Sequence, residues 1–163
     1  MPHRPPKWGA IRARAGAGAV VRLFPDYAGS VLWFPEPVDY GASLLDDALV
    51  TDLIRWEIGY YDALDADFDW QSPALARAFT ANGVALALRL AVQLGTGFDI
   101  EFASYEAGVA MRRFRSELPA DNPRAAAAFT ALAGQAGVPP RRRPVPAAAL
   151  TGPPRRSDPR HPG

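Results

Sequence analysis

The pattern of apolar and polar residues divides the middle of the chain into β-type and helix-type segments. Two runs rich in β-branched and aromatic residues, 20–24 and 30–34, come first. They flank residues 25–29, whose Pro, Asp and Gly favour chain reversal. This arrangement predicts an N-terminal β-hairpin.

The next segment has the periodicity of an amphipathic helix. We expect this helix to begin at Ser43, which forms a capping box with Asp46, and to end near Ala66. Aspartates occupy the face opposite the apolar stripe, so one face should be buried and the other acidic. The stripe consists of Leu45, Leu49, Leu53, Trp56, Tyr60 and Leu64.

A second helix is predicted to begin with Ser72 as its N-cap and Pro73 at its first position, and to end before Gly95. Its apolar stripe has the same spacing as the first, which predicts two antiparallel helices of similar length. We expect Gly83 in this stripe to leave room for Trp56 of the first helix. The second stripe consists of Leu75, Phe79, Gly83, Leu86, Leu90 and Leu94.

A strand should follow the helices. Residues 98–102 alternate strictly between apolar and acidic side chains, which predicts a half-buried strand with Asp99 and Glu101 on its polar face. Residues 104–118 are compatible either with a further strand through 109–114 that pairs with 98–102, or with a short helix.

The two ends of the chain differ in composition from its middle. Only Phe129 and Leu132 could anchor the Ala-rich segment that follows Asn122-Pro123, so we expect its helix to dock weakly. Eight of the last 26 residues are Pro and six are Arg, a composition that cannot build a core. We therefore divide the chain into a disordered basic extension (1–19), an α+β domain (20–118), a weak Ala-rich helix (119–137) and a disordered Pro/Arg-rich tail (138–163).

These elements predict an α+β fold. The N-terminal hairpin and strand 98–102 should form a small antiparallel sheet, packed on an antiparallel pair of helices and flanked by disordered tails. The predicted core contains Val21, Leu23, Leu32, Phe34, Leu49, Leu53, Trp56, Tyr60, Phe79, Leu86, Leu90, Ile100 and Phe102.

Charge is distributed unevenly although the net charge is only +1. Residues 20–118 carry fifteen Asp and Glu against seven Arg, whereas both flanking segments are basic. Nine of the acids fall within 39–69, where Arg55 is the only base. An acidic surface attracts cationic partners, and salt weakens that attraction.

The composition excludes several chemistries. The chain has no Cys, and its two histidines, His3 and His161, lie within three residues of the chain ends. The folded part therefore lacks a thiol nucleophile, an imidazole base and a Cys or His metal ligand. We expect no cofactor and a cytoplasmic location. The most apolar stretch, 84–94, is far shorter than the ~20 residues of a membrane span, so we expect no membrane association.

The acidic cluster after the first helix allows two interpretations. Residues Asp65, Asp67 and Asp69 match the first ligand positions of a calcium loop, but Trp70 stands where that loop needs Gly. A carboxylate-based metal protein or metal enzyme is therefore the alternative hypothesis. The preferred interpretation is an acidic, partly aromatic surface that binds a basic protein. Its candidate residues are Asp47, Tyr61, Asp62, Asp65, Asp67, Asp69 and Trp70.

The Arg-rich tail offers a further alternative. Residues 141–143 and 155–156 could contact the phosphates of a nucleic acid, but no aromatic residue in this tail could stack on bases. The acidic domain makes nucleic-acid binding a weaker hypothesis than protein binding.

The order of features in 21–102 resembles a group of small uncharacterised proteins from high-GC Gram-positive bacteria. The resemblance rests on packing residues, so it implies the fold and carries over no catalytic residue. These residues are Asp26-Tyr27, Leu32-Trp33, Trp56, Tyr60, Phe68, Trp70, Leu90, Leu94-Gly95 and the strand 98–102.

The sequence therefore predicts a non-enzymatic protein-binding domain. One version is an immunity-like protein that masks a basic effector. Neither the partner nor the oligomeric state follows from the residues.

Overall fold

The computed structural model describes residues 19–136, which form one four-stranded sheet and four helices. The predicted α+β class is confirmed. The strands are β1 (Ala19–Leu23), β2 (Leu32–Trp33), β3 (Phe98–Phe102) and β4 (Arg112–Phe114), in the spatial order β2-β1-β3-β4. The helices are α1 (Tyr40–Ser43), α2 (Asp47–Asp62), α3 (Pro73–Leu94) and α4 (Pro123–Ala136), and a 3-10 turn (Gly95–Gly97) joins α3 to β3. Residues 1–18 of the predicted extension (1–19), and the whole predicted tail (138–163), lie outside the described residues.

The sheet is mixed rather than purely antiparallel. The predicted hairpin is confirmed, since β1 pairs antiparallel with β2 and places Leu23 opposite Leu32. In contrast, β3 runs parallel to β1, with Val21 opposite Ile100. A parallel neighbour requires a long crossover, and the helices between β2 and β3 provide it. The strand alternative for 104–118 is also confirmed, because β4 pairs antiparallel with β3.

The prediction that Ser43 begins the first long helix is wrong. Asp39 instead caps the short helix α1, its carboxylate accepting the Ala42 N–H at 2.9 Å. Leu44 then adopts a left-handed backbone with φ 54°, which ends α1 before α2 begins. The Ser43 hydroxyl donates to the Tyr40 carbonyl at 2.7 Å, so it belongs to the end of α1.

Helices α2 and α3 form the predicted antiparallel pair. Gln93 near the end of α3 lies beside Asp46 at the start of α2, with Nε2 to Oδ2 at 3.0 Å. Near the other end of the pair, the Trp56 ring stacks on Phe79 at a centroid distance of 4.6 Å. The Ser72 cap is confirmed, since its side chain accepts the Leu75 N–H. Leu75 itself is exposed, so its assignment to the buried stripe is wrong.

Gly83 provides the predicted space for Trp56. A Cβ built on Gly83 would lie 2.8 Å from Cζ2 of Trp56 and 2.5 Å from Cε2 and Cζ of Phe102. Real Cβ atoms do not approach other atoms so closely, so α3 packs against both rings only because residue 83 has no side chain. The contact with Phe102 of β3 was not predicted.

The core contains the predicted residues. Every one of them is buried except Tyr60, which is half-buried against the core. Phe129 of α4 is also fully buried, with its ring 5.8 Å from that of Phe34 and 6.0 Å from that of Phe98. We expected α4 to dock weakly, but its one large ring packs against Phe34, which follows β2, and Phe98 of β3, so α4 is part of the common core.

The outer face of the sheet carries a row of ion pairs. Asp99 and Glu101 are only 5% and 2% exposed, although the alternation of residues 98–102 placed them on a polar face. Arg115 bonds Asp99 at 2.5 Å, and Arg113 bonds Glu101 at 2.7 Å. The sequence pattern could not show that β3 is a central strand, whose neighbours on both sides cover its polar side chains.

Within residues 19–136, one helix is long and apolar enough to cross a membrane, judged by length and composition alone. It is α3 with its following turn, Pro73–Gly97, at a mean hydropathy of 1.3. We expected no such segment. This helix packs against α2, β3 and α4, as the core helix of a folded domain does, so its composition is weak evidence for a span.

Candidate protein-binding site

An aromatic groove lies where the loop between β1 and β2 meets the C-terminal end of α2. Its volume is about 380 Å³, and a smaller cavity of about 160 Å³ adjoins it and shares Phe68 and Tyr105 as lining residues. We call the larger cavity the aromatic groove. It is lined by Pro25, Asp26, Tyr27, Tyr60, Tyr61, Leu64, Phe68 and Tyr105.

Two tyrosine hydroxyls fix the loop that forms one wall of the aromatic groove. The Tyr61 hydroxyl accepts the Tyr27 N–H at 2.9 Å, and the two rings lie 4.5 Å apart. The Tyr105 hydroxyl donates to the Pro25 carbonyl at 2.8 Å. Because both contacts come from other elements of the domain, the loop is held in place before any partner binds.

The two most exposed rings of the groove stand on left-handed backbone. Tyr27 has φ 44° and is 73% exposed, and Phe68 has φ 63° and is 61% exposed. Such a conformation costs a residue with a Cβ about 1–2 kcal/mol. Backbone strain of this kind concentrates at functional sites. Two strained, exposed aromatic residues beside one groove therefore mark it as the candidate site.

The turn that presents Phe68 is built by the acidic cluster. One carboxylate oxygen of Asp65 accepts the N–H groups of Asp67 at 2.9 Å and of Asp69 at 3.0 Å. A bridge between Leu64 and Trp70 closes the loop at its base. The Asp65 side chain thus acts as a local turn former. Within residues 19–136 no group of three or more Asp, Glu or His is placed to hold a metal ion.

Burial raises the pKa of three tyrosine hydroxyls of the groove further above neutral pH. It raises the pKa of Tyr60 to about 12, with smaller contributions from the nearby Tyr61, Tyr27 and Asp26. Burial likewise raises the pKa of Tyr105 and of Tyr61. Their hydroxyl groups therefore act as hydrogen-bonding groups and apolar surface at neutral pH. None of them is activated as a base or nucleophile, since that role requires a lowered pKa.

Some of the predicted site residues lie at this groove. Tyr61 lines it, and Asp69 lines the smaller cavity beside it. Trp70 is half-buried: its indole N–H donates to the Tyr105 carbonyl at 3.1 Å, and its ring packs on Tyr60 at 5.6 Å. Trp70 thus supports the groove from behind, and Phe68 holds the exposed position that we predicted for Trp70.

The remaining predicted residues lie around or beyond the groove. Asp62, Asp65 and Asp67 are exposed near its rim, on the end of α2 and the following turn. Asp47 lies at the opposite end of α2, about 21 Å from Tyr61 at a rise of 1.5 Å per residue. There it lines a separate pocket with Leu44 and Arg124.

Sequence reasoning missed three residues of the groove as site residues: Asp26, Tyr27 and Phe68. The available signal was an aromatic residue beside Asp in each of two loops, at 26–27 and 67–69. That signal does not reveal exposure. The left-handed backbone that turns Tyr27 and Phe68 outward arises from contacts with Tyr61 and Asp65, which the linear pattern does not show.

The fold and the groove define a small α+β domain with one preformed aromatic site. A family model described as Serratia CdiI immunity protein-like matches residues 19–105. The match covers more than half of the chain, so the chain belongs to this family. It encloses the stretch 21–102 on which the earlier resemblance rests, and it includes every residue that lines the groove. No curated protein and no solved structure gives a significant match.

Proposed function

We propose that this protein is an immunity protein that binds a basic protein toxin and keeps it inactive by covering it. The observation that carries the proposal is the aromatic groove, which presents strained, exposed rings and has no Lys or Arg among its lining residues. Membership of the immunity protein-like family supports the same role. We also propose a bacterial, cytoplasmic location, where such a protein would meet an incoming toxin.

The outward face of α2 extends this surface beyond the groove. Val50, Ile54, Ile58 and Tyr61 recur at helical spacing and form a stripe beside the buried residues of the same helix, and the half-buried Val50 at its start also packs against the core. Ile54 and Ile58 are 40% and 54% exposed. We call these four residues the outer stripe of α2. An apolar stripe on the solvent side of a helix that already has a buried side indicates a second contact surface.

The size of this surface suits a protein partner. A stable interface covers about 800 Å² on each side, more than a groove of this size provides. The outer stripe continues from Tyr61 in the groove to Val50, about 16 Å away along α2. Asp47 lies beyond the end of the stripe, so this arrangement brings Asp47 and Tyr61 onto one continuous binding face.

The charge around the binding face favours a basic partner. Asp47, Glu57 and Asp62 border the outer stripe on α2, and Asp26 lines the groove. The negative electrostatic potential of these carboxylates raises the rate at which a cationic protein associates, and salt screens this potential over about 8–10 Å. The partner should therefore bind faster at low salt, while the apolar stripe and the rings set how slowly it dissociates.

The test begins with the full-length chain used as bait in extracts of its source cell, at low and at high salt. The expected result is a basic protein whose capture weakens as salt rises. The captured protein is then produced in a test host, where it should arrest growth and where the full-length chain should restore it.

A double variant tests whether the restored growth depends on the groove. Tyr27→Asn with Phe68→Gly removes both rings and suits the left-handed backbone, so the fold should persist. Loss of two aromatic contacts should weaken binding at least tenfold, about 1.4 kcal/mol or more, and abolish rescue. Leu88→Ala is the matched control, since it removes an exposed side chain from α3. A captured protein that does not arrest growth, or full rescue by the groove variant, would refute the proposal.

A further inference from the structure

The aromatic groove offers a place for a cation that the described residues do not fill. Asp26 lines the groove, and its carboxylate has no hydrogen bond or ion pair within residues 19–136. The half-buried Glu57, close enough to Tyr61 to raise the pKa of its hydroxyl, also has no such partner in that part of the chain. The acids of the sheet, in contrast, have arginine partners.

The rings of the groove supply the second component of a cation site. The ring centroids of Tyr27 and Tyr61 lie 4.5 Å apart with a tilt of 31° between the ring planes, and Phe68 also lines the groove. The face of an aromatic ring attracts a cation within about 6 Å of its centre. Ring faces next to an unpaired carboxylate therefore favour an organic cation over an apolar side chain.

We infer that the aromatic groove receives the guanidinium group of an arginine presented by the protein partner, with Asp26 as its ion-pair acceptor and Tyr27 and Phe68 against its faces. This inference rests on the proposed function and names the chemistry of its contact. A guanidinium is preferred to an ammonium because it is planar, stacks on rings and donates two parallel hydrogen bonds to one carboxylate.

Glu57 lies on α2 one helical turn before Tyr61, and its side chain is half-buried. Burial raises the pKa of its carboxyl group. A half-buried carboxylate without a cation gains more from an arriving cation than a fully solvated one does. Glu57 should therefore attract a second basic residue of the partner next to the inserted arginine.

The test uses short probes rather than the toxin. Nine-residue blocked peptides of Gly and Ser carry one central Arg, Lys or citrulline, the last being a neutral copy of arginine. Each is titrated into the isotopically labelled full-length chain, and amide resonances of Tyr27, Tyr61 and Phe68 report occupancy. We expect the Arg peptide to bind about fivefold or more tightly than the citrulline peptide, and the Lys peptide to lie between them.

Matched variants assign the site. Asp26→Asn should reduce the affinity for the Arg peptide to about that of the citrulline peptide. Glu36→Gln removes the same charge from an exposed residue outside the groove and should leave the affinity unchanged. Equal binding of Arg and citrulline peptides, or equal effects of the two variants, would overturn the inference.

A further variant tests the chain's own arginines as occupants. Replacing Arg141, Arg142 and Arg143 by Gln in the full-length chain should change neither the groove resonances nor the peptide affinity. A tighter affinity in that variant would mean that the tail occupies the groove, which would overturn the assignment to a partner.

The peptide test and the toxin test fail independently. If the groove binds the Arg peptide but the chain does not restore growth of cells that produce the toxin, the proposed function is refuted and the cation site is not. If the chain restores growth but its groove does not bind the Arg peptide, only the cation site is refuted.

Discussion

Single backbone angles decide which aromatic residues of this protein meet solvent. Tyr27 and Phe68 have positive φ and expose their rings, whereas Trp70, two residues after Phe68, has its indole bonded to Tyr105. Of these three residues, the sequence pattern indicated only Trp70 as a binding candidate. The difference lies in hydrogen bonds that hold the strained turns: a local one to Asp65 and a long-range one to Tyr61.

A pair of glycine substitutions tests the close packing of α3. Gly83→Ala should lower the free energy of unfolding by about 1–3 kcal/mol, because the new Cβ would collide with Phe102 and Trp56. Gly59→Ala, in the last turn of α2 with no atom near the new Cβ, should raise it by up to about 1 kcal/mol through helix propensity. Urea unfolding measures both. Stabilisation by both substitutions would contradict the packing at Gly83.

Glu57 gives a prediction for the effect of pH. Burial raises its pKa above the usual 4.5, so its ionised form is less favourable in the folded chain. Its contribution to stability therefore falls as the pH rises from 4.5 through the raised value. Glu57→Gln should raise the free energy of unfolding at pH 7 by less than about 1 kcal/mol, because solvent screens a partly exposed carboxylate.

Thermal unfolding of the Glu57→Gln variant and the parent at pH 7 and near pH 4 checks this effect. The two proteins should differ at pH 7 and converge in acid, where the glutamate is protonated. A variant that is less stable than the parent at neutral pH would show that the carboxylate has a stabilising partner.

At the scale of elements, the burial of β3 depends more on its position in the sheet than on its own sequence. Its alternation of apolar and acidic residues is typical of an exposed sheet face, yet all five residues are buried. The strand lies between β1 and β4, and arginines from both neighbours cover its acids. Alternation identifies the two faces of a strand, while burial depends on which strands flank it.

Removal of Arg115 tests this ion-pair row. Arg115→Ala leaves the buried Asp99 without its guanidinium and should lower the free energy of unfolding. Because water can reach the vacated side, the loss should be smaller than for a fully buried pair, but larger than for an exposed pair. Arg55→Ala removes an exposed partner of Asp52 and should change stability by less than about 1 kcal/mol. Equal effects of the two variants in urea unfolding would contradict the burial of Asp99.

At the scale of the whole molecule, the described chain has one core that includes α4. Phe129 packs between Phe34 and Phe98, and Asn122 at the start of α4 donates to the Leu44 carbonyl at 3.0 Å. The helix therefore contacts chain segments on both sides of the α2–α3 pair, before α2 and after α3. The family match ends at residue 105, before this helix begins.

A core substitution in α4 tests whether the domain unfolds as one unit. Phe129→Ala should lower the free energy of unfolding by about 3–5 kcal/mol, as loss of a fully buried ring does. A single transition should remain when helix content and tryptophan fluorescence are followed together. A separate early loss of helix with little change in the main transition would mean that α4 docks independently.

The sequence by itself determined the hairpin, the pair of long helices, strand β3 and most of the core of this protein. Hairpin residues, helix stripes and the Ser72 cap depend on neighbours a few positions away, and such local patterns can be read from one chain. The acidic character of residues 20–118 also follows directly from the residues.

Only the tertiary structure decided which of these residues form a site. The parallel pairing of β1 with β3, the burial of Asp99 and the exposure of Tyr27 and Phe68 all depend on contacts between distant segments. The Tyr27 N–H finds its acceptor on Tyr61, 34 residues away, and the groove exists because that contact forms. Periodicity records the faces of individual elements, whereas a binding site arises where the faces and loops of several elements meet.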